Sequence, residues 1–159
     1  MNKNLSKYTE NGKEKADMDK GEGRKNYTEG ILFHGAAHQD FYLNYLKKCR
    51  YQDIFHKALV YSLGIDQETR KHIHEIYDFN TGCVNTRCLR AGWQTGQSRK
   101  AARLAFGLYC NGTPSVYDYE DEQDQIMEAR SYAVSGLFCC SYAPYFWEAV
   151  KIRYSEYCG

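Results

Sequence analysis

Two histidines and two cysteines in the middle of the chain have types and spacing that could bind a metal ion. They are His72, His74, Cys83 and Cys88. Zinc prefers four nitrogen or sulfur ligands in a tetrahedron, and two cysteines separated by four residues lie within the usual spacing. The two histidines lie two positions apart on a predicted helix and would therefore point to different faces. A zinc site and a set of ordinary surface histidines and buried thiols both stay open.

Nucleophilic catalysis is the second chemistry that the composition raises, because the chain has seven cysteines and five histidines. A catalytic cysteine needs a neighbouring base or a helix N-terminus that stabilises its thiolate. No local signature selects one cysteine, and the common hydrolase, phosphate-loop, dinucleotide and zinc-protease motifs are missing. We therefore predict no catalytic residue. An enzyme or metalloprotein built on the Cys/His set is the alternative to a binding protein.

Charge is distributed unevenly along the second half of the chain. Positions 85–103 carry five basic residues and no acidic one, and positions 118–128 carry six acidic residues and no basic one. The basic residues are Arg87, Arg90, Arg99, Lys100 and Arg103. They span a predicted helix, a glycine-containing turn and a second helix, an outline typical of helix-turn-helix proteins. One hypothesis is that this face contacts nucleic acid or a protein partner, with Arg99 and Arg103 on one solvent-facing side. The alternatives are that the acidic segment folds back and neutralises it, or that the basic residues are simply solvated surface.

Helices are the elements that must position these residues. Apolar side chains recur at helical spacing from about Ala36 to Lys48, and Asp53 can cap a second helix that Gly64 ends. Ser98 is predicted to cap the clearest helix, in which Leu104 and Leu108 lie on a core-facing stripe. Asn111 and Gly112 terminate that helix.

The other predicted elements are shorter. A third helix starts at Asp66 or Thr69, the segment 78–82 forms a turn, and a short helix covers about 85–91. A helix resumes at about 121–133, and Pro144 suits the first turn of the last helix. In that last helix we expect Phe146 to face the core and Trp147 to lie nearer the surface. The pattern predicts an all-α domain, a compact bundle of five to seven short helices.

Residues 1–29 have a different composition from the rest of the chain. They carry seven Lys/Arg and six Asp/Glu, with few aliphatic side chains, so we expect a disordered N-terminal tail before a helical domain at 30–159. No signal peptide and no apolar run of about 18 residues is recognised, which predicts no membrane association. The odd number of cysteines then favours free thiols in the cytoplasm. The formal net charge of +1 gives no overall attraction to polyanions.

Four strings of sequence carry a resemblance to a known family: YQDIFHKALVYSLG, EIYDF, GWQTGQSRKAARLAFGLY and APYFWEAVKIRY. They resemble an uncharacterised family of small proteins, a domain of unknown function found in clostridia and related Gram-positive bacteria, often on mobile genetic elements. The similarity spans roughly Ile31 to Tyr157. It implies a bacterial cytoplasmic setting and no catalytic residues. The sequence thus favours a non-enzymatic binding or accessory protein of a mobile element that contacts protein or nucleic acid.

Overall fold

The chain folds into α-helices in the computed structural model, which describes residues 28–112 and 121–158. It divides into two units, 1–31 and 32–159, and the second is described here. The predicted tail lies outside the described residues except for its last two positions. The α-helices of the described residues are α1 (Ala36–Leu46), α2 (Ile54–Ile65), α3 (Gln67–Lys71), α4 (Ile73–Ile76), α5 (Gly96–Cys110), α6 (Glu122–Ser131), α7 (Val134–Phe138) and α8 (Ala143–Arg153). The short elements are strands β1 (Tyr77–Asp78) and β2 (Cys83–Val84), and two 3-10 helices, Thr86–Arg90 and Ser155–Tyr157.

The all-α class is confirmed, and the described residues contain eight α-helices. The predicted third helix is split into α3 and α4, α7 is an additional helix after the predicted one at 121–133, and the predicted short helix at 85–91 is a 3-10 helix. The third helix does begin at Asp66, whose carboxylate accepts the Glu68 and Thr69 N–H groups at 2.8 and 3.2 Å. It is interrupted at His72, where the backbone leaves the helical region, and α4 follows. Strands β1 and β2 then pair as a two-residue antiparallel hairpin. Its turn is the predicted segment 78–82, which ends on Gly82 with φ 76°, a left-handed conformation that favours glycine.

Helix α2 lies at the centre of the core. All of its residues from Ala58 to Ile65 are buried, and it packs against α1, α5 and α8. As predicted, the Asp53 side chain caps its first turn by accepting the His56 N–H at 2.9 Å. An element buried on all sides in this way needs a nearly continuous apolar sequence, which the segment ALVYSLGI provides.

Gly64 does not end α2, contrary to the prediction, because the helix runs on to Ile65. A Cβ at this glycine would lie 2.6 Å from Cδ2 of His38 and 2.9 Å from Cδ1 of Phe41, both on α1. These distances are well inside van der Waals contact. Gly64 therefore lets α1 approach α2 closely.

Helix α5 begins one turn earlier than predicted. The N-cap is Thr95, and Ser98 is the third helical residue that completes a capping box: the Ser98 N–H donates to Thr95 Oγ1 at 3.0 Å, and the Thr95 N–H donates to Ser98 Oγ at 2.7 Å. Leu104 and Leu108 are buried as expected, at 7% and 6% exposure. Asn111 ends the helix with φ 59°, as the sequence predicted.

Candidate functional site

The predicted basic residues occupy two different environments. Arg87 and Arg90 are exposed on the 3-10 helix, and Arg99 and Lys100 are partly exposed near the start of α5. Arg103 is only 4% exposed. The prediction that Arg103 shares a solvent-facing side with Arg99 is therefore wrong, because Arg103 points into a covered part of the domain.

Arg103 forms a buried ion pair with Glu128 on α6. One Glu128 oxygen accepts a hydrogen bond from Arg103 Nη2 at 2.6 Å, and both side chains are less than a tenth exposed. The ring of Tyr132 covers the guanidinium, with Cζ 3.6 Å from the ring centroid. A buried charge needs such a partner because removal from water is costly. At this pair the acidic segment does contact the basic one. Two further acidic residues of that segment, Asp118 and Glu120, lie outside the described residues.

The remaining basic residues gather where the 3-10 helix meets α5. Arg99 Nε donates to the Leu89 carbonyl at 3.1 Å, which holds the start of α5 against the 3-10 helix. Trp93 lies in the turn between these two elements and stacks flat on His72, with ring centroids 4.3 Å apart and an interplanar angle of 1°. Its indole N–H donates to Glu75 at 2.9 Å. The sequence did not assign a role to this aromatic residue among the arginines.

The four predicted zinc ligands lie in separate surroundings. His72 contacts Glu75 through Nδ1 at 2.8 Å, and the ring of His74 packs edge-on against Phe79. Cys83 is exposed, whereas Cys88 is buried, and its burial raises the pKa of the Cys88 thiol to about 12. In the part of the chain that the structure describes, no three His, Cys, Asp or Glu side chains converge as a metal ion would require. The structure thus does not bring this set together as a formed site.

A hydrogen-bonded chain that sequence reasoning missed starts at the first turn of α2. The Asp53 carboxylate contacts His56 Nδ1 at 2.7 Å, and His56 Nε2 lies 3.3 Å from the hydroxyl of Tyr109. The Tyr109 hydroxyl donates to the Gly82 carbonyl at 2.8 Å. Three elements that are distant in sequence are joined by this chain: the start of α2, the end of α5 and the hairpin turn. Its only signal in the sequence is a histidine three residues after a helix-capping aspartate.

The hydrogen-bonded chain positions its side chains and does not activate a nucleophile. Burial raises the pKa of Asp53, but the hydrogen bonds from the His56 N–H and ring outweigh burial and bring that pKa below its ordinary value. Burial raises the pKa of the phenols of Tyr109 and Tyr77, so both stay neutral donors. The neighbouring thiol of Cys49 is buried, and its pKa is raised to about 12. A thiolate nucleophile is therefore disfavoured here.

Large apolar side chains are exposed on the C-terminal helices. They are Ile126, Met127, Val134 and Trp147, at 38%, 64%, 67% and 54% exposure, and we call them the C-terminal apolar residues. Helix α7 has no buried residue although its sequence is VSGLF. Trp147 is held by the ring of Phe138 on α7, with centroids 4.3 Å apart. As predicted, its neighbour Phe146 faces the core with 0% exposure.

These features define a small all-α domain that has a central buried helix and apolar side chains left at the surface of its C-terminal helices. The sequence profile of the "Family of unknown function (DUF6075)" matches residues 28–159, and the chain belongs to this family. No curated protein and no solved structure matched the chain. None of the described helices is long and apolar enough to cross a membrane.

Proposed function

We propose that the protein is a binding or accessory protein whose C-terminal helices dock onto a protein partner. The observation that carries this proposal is Trp147, a large aromatic residue that is 54% exposed on α8 while its neighbours Phe146 and Ala149 are at 0%. Exposed apolar area costs about 25 cal/mol per Å² relative to burial. Tryptophan is one of the residues enriched in the hot spots near the centres of protein interfaces.

The helices that precede α8 support the same proposal. Helix α6 packs on α7, and α7 packs on α8, so Ile126, Met127 and Val134 are presented by consecutive, touching elements. Asp121, Glu122 and Asp124 are exposed at the start of α6, next in sequence to the exposed apolar residues. The partner that suits this surface is therefore a protein segment with apolar side chains and basic residues beside them.

Capture from host lysate with wild-type protein and Trp147→Ser is the test. Tyr51→Ser is the matched control, because Tyr51 is also aromatic and 61% exposed but lies before α2. Lysates are treated with nuclease so that nucleic acid cannot bridge proteins. We expect a partner retained by wild type and Tyr51→Ser and lost by Trp147→Ser. A partner that both variants retain would refute the docking role of this surface.

The cellular setting is a further part of this proposal. Seven cysteines without a disulfide suit the reducing cytoplasm, and the mobile-element context follows from the resemblance of the sequence. Fractionation of the native host tests the first, and the neighbouring genes test the second. Zinc binding by the Cys/His set is the alternative function, which metal analysis of freshly purified protein tests.

A further inference from the structure

Helix α6 is attached to the domain in an unusual way. Among its described residues only Glu128 is buried, and the apolar Ile126 and Met127 beside it are exposed at 38% and 64%. Helix α7, which follows, has no buried residue. An amphipathic surface helix ordinarily buries an apolar stripe. The inward contact of α6 is instead an ion pair with Arg103, 2.6 Å long.

The residues that precede Arg103 on the same side of α5 are also basic. Arg103 lies on α5 one turn after Arg99 and three residues after Lys100, so the three share one side of the helix. Glu128 and the ring of Tyr132 lie over the Arg103 guanidinium. No acidic residue occurs between positions 79 and 117 of the sequence. The carboxylate of Glu128 thus occupies the position in which arginine would bind a phosphate oxygen.

We propose that α6 is an autoinhibitory cover over a nucleic-acid-binding face formed by Arg99, Lys100 and Arg103. An ion pair suits this role because both charges regain their hydration when it opens, so opening costs less than exposing an apolar core. When a phosphate of the nucleic-acid backbone displaces Glu128, the Arg103 guanidinium exchanges one anionic partner for another and stays paired. This face is formed by α5, whereas the protein-docking surface proposed above consists of exposed side chains on α6, α7 and α8.

The measured affinity for nucleic acid depends on the fraction of molecules in which α6 has opened. A ligand that binds only the open form has its apparent affinity reduced by the open fraction. Replacing Glu128 by glutamine removes the charge that competes with phosphate and keeps the size of the side chain. Replacing Glu122 by glutamine removes the same charge from the exposed start of α6 without touching the ion pair, and is the matched control.

The experiment measures fluorescence anisotropy of labelled single-stranded DNA and RNA at about 50 mM and about 200 mM salt. The proteins are wild type, Glu128→Gln and Glu122→Gln. We expect Glu128→Gln to bind at least about tenfold more tightly than the other two, with affinity that falls as salt rises. Adding Arg99→Gln and Lys100→Gln to Glu128→Gln should abolish the gain. Heparin is added as a competitor to separate recognition of nucleic acid from attraction to any polyanion. If heparin at the same concentration of charge displaces all of the bound nucleic acid, the nucleic-acid assignment is overturned.

Hydrogen exchange shows whether the domain stays folded in Glu128→Gln. We expect faster exchange in α6 and unchanged protection of the central helix α2. If α2 also loses protection, Tyr132→Ala replaces the variant, since it removes the ring that covers the guanidinium and leaves both charges in place. Binding by the folded variant that is no tighter than that of Glu122→Gln would overturn the proposal.

Discussion

His38 should make the domain less stable in mild acid. His38 lies near the start of α1 and is 0% exposed. Its Nδ1 accepts the His34 N–H at 3.1 Å, and its Nε2–H donates to the Tyr61 carbonyl at 2.8 Å. The ring is therefore held in one neutral tautomer. A second proton would place an N–H against the N–H of His34.

The magnitude follows from the pKa of this imidazole. Burial lowers the pKa of His38 from 6.5 to about 4, and the positive charges of Arg70 and His34 act in the same direction. Between these values the unfolded chain binds a proton that the folded chain does not, so stability is lost as the pH falls. Each pKa unit corresponds to about 1.4 kcal/mol, so the loss is about 2 kcal/mol between pH 6.5 and 5 and about 3 kcal/mol in full below pH 4.

Urea unfolding of wild type and His38→Gln at pH values from about 7 to about 5 is the assay. The quantity compared is the change of unfolding free energy with pH, because glutamine removes the titration whatever it does to absolute stability. We expect a steeper acid loss in wild type by about 2 kcal/mol. Parallel pH profiles of the two proteins would refute the reasoning, as would an NMR titration of His38 in the native state above pH 6.

Four further expectations concern packing, capping and thiols. Gly64→Ala should lower the free energy of unfolding in urea by up to about 2 kcal/mol, since overpacking against His38 costs about 1–3 kcal/mol and the helix-propensity gain is about 1 kcal/mol. A more stable variant would contradict the close approach of α1. Leu104→Ala should cost about 2–5 kcal/mol, and a loss below about 0.5 kcal/mol would show that the site is not tightly packed. Thr95→Ala should cost about 1 kcal/mol by the same measurement, against almost no loss for an exposed threonine. Thiol titration of denatured, unreduced protein should find seven groups; two fewer would indicate a disulfide.

Local signals in the sequence were enough to predict the helices that have a capping residue and an apolar stripe. The apolar spacing of Leu104 and Leu108 placed the buried side of α5, and Asn111 marked its end, because both depend on residues within a few turns. Pro144 lies in the first turn of α8 as expected. The true start of α5 was missed because Thr95 and Ser98 can both cap a helix, and only the backbone shows which one does.

The sequence did not reveal which polar side chains are buried. A glycine such as Gly64 has the same local signature whether it ends a helix or admits a neighbouring ring. Arg103 belongs by sequence to a solvated basic cluster, and its partner Glu128 is 25 residues away. A charge pattern does not reveal which of several carboxylates folding brings close to a given arginine. The same holds for the pairing of His56 with Tyr109, which are 53 residues apart.

These buried polar groups have a common position in the fold, since each connects two different helices. His38 joins α1 to α2, and His56 joins α2 to α5. Arg103 joins α5 to α6. Apolar packing alone tolerates sliding between short helices, because many arrangements bury similar area. A buried donor without its acceptor costs about 1–3 kcal/mol, so only one arrangement satisfies all three at once. The first two contacts fix the arrangement of buried helices, whereas the third is the main inward attachment of a helix with no other buried residue, and for that reason it is the one suited to opening.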